Sequence, residues 1–136
     1  MCVVGVRSFR DLRAWQTSHT FKLAIYRLTE SGSLAGDFKL RGQLREAAAS
    51  ATSQIAEGFG RFNPADFARF LGMAKASLME AQNHLQDAVD RGHIGEDARS
   101  EHDQLAQRAL RDLIALIKYL QSDTAARNAQ RFRTRN

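Results

Sequence analysis

The sequence predicts an all-α protein, an antiparallel up-down-up-down four-helix bundle in a single domain. Four segments of about 20–28 residues carry apolar side chains at helical spacing, and short breaks separate them. No alternating apolar–polar stretch exceeds three or four residues, so no strand is predicted. The 136 residues suffice for one core. We expect an N-terminal arm at 1–10, the bundle at 11–121 and a basic, disordered tail at 122–136.

The first helix is expected from about Leu12 to Glu30, with Asp11 as its cap. Two apolar stripes lie on nearly opposite faces of it. One stripe comprises Leu12, Trp15, His19, Leu23 and Tyr26. The other comprises Ala14, Phe21, Ile25 and Leu28. A helix of a monomeric bundle needs one stripe, so the extra one is either further burial within the chain or a subunit contact. We predict that the stripe containing Ala14 is a subunit interface.

The second helix is expected from about Asp37 to Phe59, after a loop that begins at Ser31-Gly32-Ser33. Its small-residue stripe comprises Leu40, Leu44, Ala47, Ala48, Ala51, Ile55 and Gly58. Small side chains at this density allow a neighbouring helix to approach closely. Gly60 stands in the position of a C-terminal glycine cap.

The third helix has the clearest start, because Asn63 can cap it and Pro64 fits its first position. Its apolar residues recur at 4-3-4-3 spacing, which is typical of bundle packing: Phe67, Leu71, Ala74, Leu78, Ala81, Leu85 and Ala88. Gly92 ends it. The fourth helix is expected from Glu96 to Leu120.

Net charge gives the first indication of function. Twenty basic residues against fifteen acidic ones give +5, and a surplus of this kind favours anionic partners. The helical candidates for binding them are Arg10, Arg13, Lys39, Arg41 and Arg45. The tail candidates are Arg127, Arg131, Arg133 and Arg135. Phe132 lies among the tail arginines, a combination that can pair with phosphates and stack on a base. For any single arginine the alternative is a solvated surface.

No pattern for a metal, a cofactor or a catalytic nucleophile is found. A di-iron bundle needs a histidine three residues after a glutamate on each of two helices, and no glutamate of this chain has one; Glu80 and His84 are four apart. His19 lies on an apolar face, and His93 lies in a turn without a visible partner. The helical serines lack the elbow that exposes a nucleophile. We therefore expect a protein that is not an enzyme.

Compartment is indicated by two features. No apolar run approaches the roughly 18 residues of a membrane span. The lone Cys2 fits a reducing environment. We expect a cytoplasmic protein without membrane association.

Four stretches together resemble one known family. They are Phe9–Gln16, Leu40–Arg45, Ala51–Arg61 and Phe67–Glu80. They are similar to the bacterial four-helix bundle proteins encoded in intervening sequences of 23S ribosomal RNA genes. That family includes the accessory variability determinant proteins of diversity-generating retroelements. Where the family usually has asparagine and arginine, this chain has Gln54 and Glu46.

The resemblance implies a ring-like homopentamer with a basic exterior or channel. Five copies at +5 each would carry +25. The retroelement members bind a reverse transcriptase and its template RNA, whereas the ribosomal branch has no settled activity. At the corner after the second helix, Arg61 either pairs with Glu57 or presents its guanidinium to RNA or a partner.

Two functions follow as alternatives. The first is a non-catalytic accessory factor that binds nucleic acid, RNA rather than DNA, and a protein partner such as a reverse transcriptase. The second is a protein-interaction scaffold with no intrinsic affinity for nucleic acid.

Overall fold

The computed structural model describes residues 5–61, 63–122, 127, 130 and 131, and within them the chain is all-α, as predicted. The described part has five α-helices and no strand. They are α1 (Arg13–Leu28), α2 (Gly32–Gly36), α3 (Phe38–Phe59), α4 (Pro64–Asp90) and α5 (Glu96–Leu120). A 3-10 turn, Phe9–Asp11, precedes α1.

The structure differs from the sequence prediction at the cap of α1 and in the loop before α3. Asp11 does not cap α1; it closes the preceding 3-10 turn, where its carboxylate accepts from the backbone N–H of Ser8 at 3.1 Å. The loop expected before the second long helix contains the short helix α2, which is held by the buried Leu34. Gly60 ends α3 with φ −76°, so that position does not need a glycine for its backbone conformation.

The four long helices enclose the core. Each packs against two others: α1 against α3 and α5, and α4 against α3 and α5. The seam predicted for α4 is confirmed, since every member from Phe67 to Ala88 has no exposed surface. The small-residue stripe of α3 is also buried, and Gly58 lies so close to α4 that a Cβ there would be 2.7 Å from the Cβ of Phe70.

The prediction that the α1 stripe containing Ala14 forms a subunit interface is wrong. Ala14 is 2% exposed, and Phe21 and Ile25 are fully buried within the single chain. Leu28 is half-buried and packs against the same core. Because α1 sits between α3 and α5, this stripe faces inward, and Leu28 alone among its four members keeps partly exposed surface. The other stripe is the more open one, and Leu23 within it is 39% exposed.

Polar contacts between helices show which parts of the chain meet. Near the end of α1, the backbone oxygen of Tyr26 accepts from Arg45 of α3. Thr17 of α1 donates to the carboxylate of Asp112 in α5 at 3.0 Å. The start of α3 meets the α4–α5 connection, where Arg91 pairs with Asp37 at 3.1 Å.

Candidate nucleic-acid interface

The basic residues predicted on α3 differ in exposure and in their contacts within the chain. Lys39 is exposed and Arg41 is half-buried. Arg45 is used inside the molecule: its Nε donates to Thr29 Oγ1 at 2.8 Å and its Nη2 to the Tyr26 oxygen at 3.3 Å. The guanidinium also lies 5.5 Å from the centre of the Tyr26 ring. Arg45 therefore holds α3 against α1, and two of its nitrogens are engaged within the molecule.

Arg61 is likewise engaged by neighbours. Its guanidinium lies 3.4 Å from Glu57 and 3.8 Å from Asp66, and it covers the ring of Phe70 at 4.6 Å. The side chain is still 44% exposed, so these pairs are screened by solvent and weak. These contacts support the interpretation that Arg61 pairs with Glu57 at the corner after α3.

Arg10 and Arg13 flank the start of α1 and are both exposed. The guanidinium of Arg10 lies over the ring of Phe9 at 4.5 Å. Arg13 has no ion pair within the described part of the chain. Of the tail candidates, Arg127 and Arg131 are described and exposed, and Arg133 and Arg135 lie outside the described residues.

The clearest basic surface is on α5, and the sequence analysis missed it. Arg108, Arg111 and Lys118 are exposed there, around the exposed Ala115. At 100° per residue these four positions fall within an arc of about 80°, and the three cations span about 15 Å of helix. None of the three cations pairs with an acid among the residues that the structure describes. These four residues are here called the α5 basic face.

The acid nearest to this surface in sequence is engaged by a hydrogen bond from α1. Asp112 is the sole carboxylate between Gln104 and Ser122. It is half-buried and accepts from Thr17 of α1. Arg13 and Ala115 line the same shallow cleft between α1 and α5. Arg13 therefore borders the α5 basic face at Ala115, across a cleft that Asp112 also lines.

The signal for this face was present in the sequence. Residues 93–120 have a net charge of −1, and that total conceals an acidic first half and a basic second half of α5. The spacing of three and seven residues from Arg108 through Arg111 to Lys118 is itself helical. A charge count taken by helix face would have shown it.

The histidines have structural partners that the sequence did not indicate. His19 stacks on Trp15 with ring centres 4.6 Å apart. Burial lowers the pKa of His19, and a nearby lysine charge lowers it further. His93 has hydrogen-bond partners on both ring nitrogens, Ser33 and Asp37.

The described residues contain no group of three or more side chains suited to hold a metal ion. No described helix has an apolar stretch long enough to cross a bilayer.

The side-chain amide oxygen of Gln54 is buried and has no partner among the described residues. Glu46 is exposed on α3.

Comparison with known proteins identifies the family. No curated protein matches the chain. The model of the family described as 23S rRNA-intervening sequence protein matches residues 10–115, from the turn before α1 to the last part of α5. The match includes Arg13, Arg108 and Arg111 and leaves the tail outside. The chain belongs to the 23S rRNA-intervening sequence protein family.

Proposed function

We propose that this protein is an oligomeric accessory factor that binds nucleic acid through the α5 basic face, RNA in preference to DNA, and that this binding is non-catalytic. The observation that carries the proposal is the set of three exposed cations on one helix face that have no ion pair among the described residues, with Arg13 bordering that face. Cations arranged in this way release counterions from a phosphate backbone on binding. A reverse transcriptase is the protein partner we propose, by resemblance to the retroelement branch, and the cytoplasm is the proposed compartment.

The proposed assembly is a homo-oligomer of antiparallel up-down bundles, a pentamer by resemblance. The ring of pairwise contacts among the long helices supports the bundle arrangement. The open stripe of α1 supports self-association: it contains stacked aromatic rings and the exposed Leu23, and the inner stripe already supplies the core contact. A second copy of the chain is the proposed occupant, and assembly would bring several basic faces together.

Fluorescence anisotropy with a structured RNA tests the binding proposal. The test variant replaces Arg108, Arg111 and Lys118 by alanine. The control replaces three exposed cations elsewhere, Arg7, Arg27 and Lys75, which removes the same charge. We expect the first variant to bind at least tenfold more weakly than the second, since its cations lie on one face. Equal loss in both variants would contradict a defined site. Absence of binding by the native chain at low salt would favour the scaffold alternative.

Analytical ultracentrifugation tests the assembly. Leu23→Glu places a charge in the open stripe of α1, and Met79→Glu places one on the outer side of α4, where Met79 is 53% exposed. We expect Leu23→Glu to shift the protein to smaller species and Met79→Glu to leave it unchanged. A native chain that sediments as a monomer at micromolar concentration would contradict the proposal.

A further inference from the structure

A chain of hydrogen bonds joins a serine, a histidine and an aspartate where the start of α3 meets the α4–α5 connection. Ser33 Oγ lies 2.7 Å from Nδ1 of His93, and Nε2 of His93 lies 2.9 Å from Oδ2 of Asp37. The same carboxylate oxygen accepts from Nη1 of Arg91 at 3.1 Å. Ser33 is exposed, whereas the side chains of His93 and Asp37 are 16% and 19% exposed. The hydroxyl is thus open to solvent while the groups behind it are shielded.

Local backbone structure fixes the histidine. Gly92 has φ 78°, a left-handed conformation that closes α4 and lets the N–H of His93 donate to the oxygen of Ala88 at 2.9 Å. Arg91, the residue before Gly92, pairs with Asp87 at 3.0 Å. The imidazole is therefore positioned by the helix end that precedes it.

Asp37 is fixed by a second helix end. Its other carboxylate oxygen caps α3 by accepting from the N–H of Leu40 at 3.3 Å. Ser33 belongs to α2, which the buried Leu34 anchors to the core. All three groups are held by separate elements, so their alignment does not require a ligand.

The direction of the hydrogen bonds follows from the charge on Asp37. The hydrogen bond from His93, above all, lowers the pKa of this carboxyl, so near neutral pH it is ionised and only accepts. Nε2 of a neutral His93 therefore carries the hydrogen, and Nδ1 presents a lone pair. The hydroxyl of Ser33 donates to that lone pair. The two ring nitrogens have exchanged the roles that they hold in the serine-protease triad, and the logic of proton transfer is the same.

We infer that Ser33 is an activated nucleophile that accepts acyl groups from activated esters, with His93 as its general base and Asp37 as the residue that orients the base. Ser33 Oγ forms a bond to the carbonyl carbon while its proton passes to Nδ1 of His93. The bond from that carbon to the leaving oxygen breaks, and an aryl ester is the fitting substrate class because a phenolate leaves without a proton donor. The imidazolium of His93 then loses its proton to solvent. Water attacks the acyl carbon while its proton passes to the neutral imidazole, the bond from that carbon to Ser33 Oγ breaks, and the imidazolium returns the proton to Oγ, which releases the carboxylic acid and restores Ser33.

This inference is independent of nucleic-acid binding. The triad precedes α5, and the α5 basic face occupies the second half of that helix, about 18 Å farther along its axis. Loss of either activity would leave the other in place.

The test uses the full chain and p-nitrophenyl acetate, with release of the phenolate and the mass of acetylated peptides as readouts. Ser33→Ala removes the nucleophile. Ser31→Ala is the matched control, because Ser31 is exposed, lies directly before α2 and its side chain makes no capping hydrogen bond. We expect acetylation at Ser33, a loss of at least tenfold in the rate for Ser33→Ala, and a native rate for Ser31→Ala. Equal rates for the native chain and Ser33→Ala would overturn the inference.

His93→Gln and Asp37→Asn test the base and its orienting group. Glutamine cannot take the proton, so we expect acylation about 100-fold slower, within the range that a general base contributes. Asparagine keeps the helix cap but loses the charge, and we expect an intermediate rate. A native acylation rate in His93→Gln would overturn the role of the base. If that variant lacks native helicity by circular dichroism, the Ser33→Ala comparison still decides the matter.

Discussion

The close contact between α3 and α4 at Gly58 gives a stability prediction with an internal control. A Cβ at Gly58 would lie 2.7 Å from Phe70 Cβ and 2.9 Å from Phe67 Cδ1, and both phenylalanines are buried. Overpacking of this kind costs about 1–3 kcal/mol of unfolding free energy. Gly42 lies in the same helix, and a Cβ there would meet nothing within 4 Å. Alanine at that position gains helix propensity of up to about 1 kcal/mol.

We therefore expect Gly58→Ala to be less stable than Gly42→Ala by about 1–3 kcal/mol, since both changes share the propensity gain. For a chain of this size the difference corresponds to roughly 3–5 °C in Tm for each kcal/mol. Urea and thermal unfolding followed by circular dichroism measure it, at one protein concentration because self-association would add to stability. Equal stability of the two variants would refute the close packing of α3 on α4.

Three further outcomes follow from single side chains. Arg45→Ala should lower the free energy of unfolding by about 1–3 kcal/mol, because Thr29 and Tyr26 lose a charged donor. Arg41→Ala should change it by less than about 0.5 kcal/mol. Urea unfolding of the two variants compares them. Leu71→Ala should cost about 2–5 kcal/mol in the same assay, since the side chain is fully buried. The lowered pKa of Asp37 gives stability that is present above its ordinary value of 3.8 and is lost as pH falls through the lowered pKa. The stability of the native chain relative to Asp37→Asn should therefore be greatest above about pH 5 and fall toward pH 2, as acid titration of the unfolding midpoint would show.

Local signals explain how much of the fold could be predicted. Asn63 and Pro64 mark the start of α4 within a few residues, and the seam from Phe67 to Ala88 needs no information from elsewhere in the chain. The two stripes of α1 were also found. Periodicity cannot say which stripe faces the core when both are apolar, because that depends on where α3 and α5 lie, and the inner stripe with Phe21 was assigned to the wrong partner.

The candidate sites depend on distant residues, which a linear pattern does not show. Arg45 has the same local pattern as Arg41, and the contact with Thr29 that occupies it appears only when α1 and α3 pack together. Ser33 and His93 are sixty residues apart and meet through the α4–α5 connection. The α5 basic face could have been predicted from the sequence, since its residues lie on one helix.

The most direct test of nucleic-acid binding is the salt dependence of RNA affinity for the native chain and for the variant that lacks Arg108, Arg111 and Lys118. The slope of log affinity against log salt counts the phosphate contacts, at somewhat less than one unit for each. We predict a steep slope for the native chain that becomes shallower by about 2–3 units in the variant. An unchanged slope would contradict the assignment of phosphate binding to the α5 basic face.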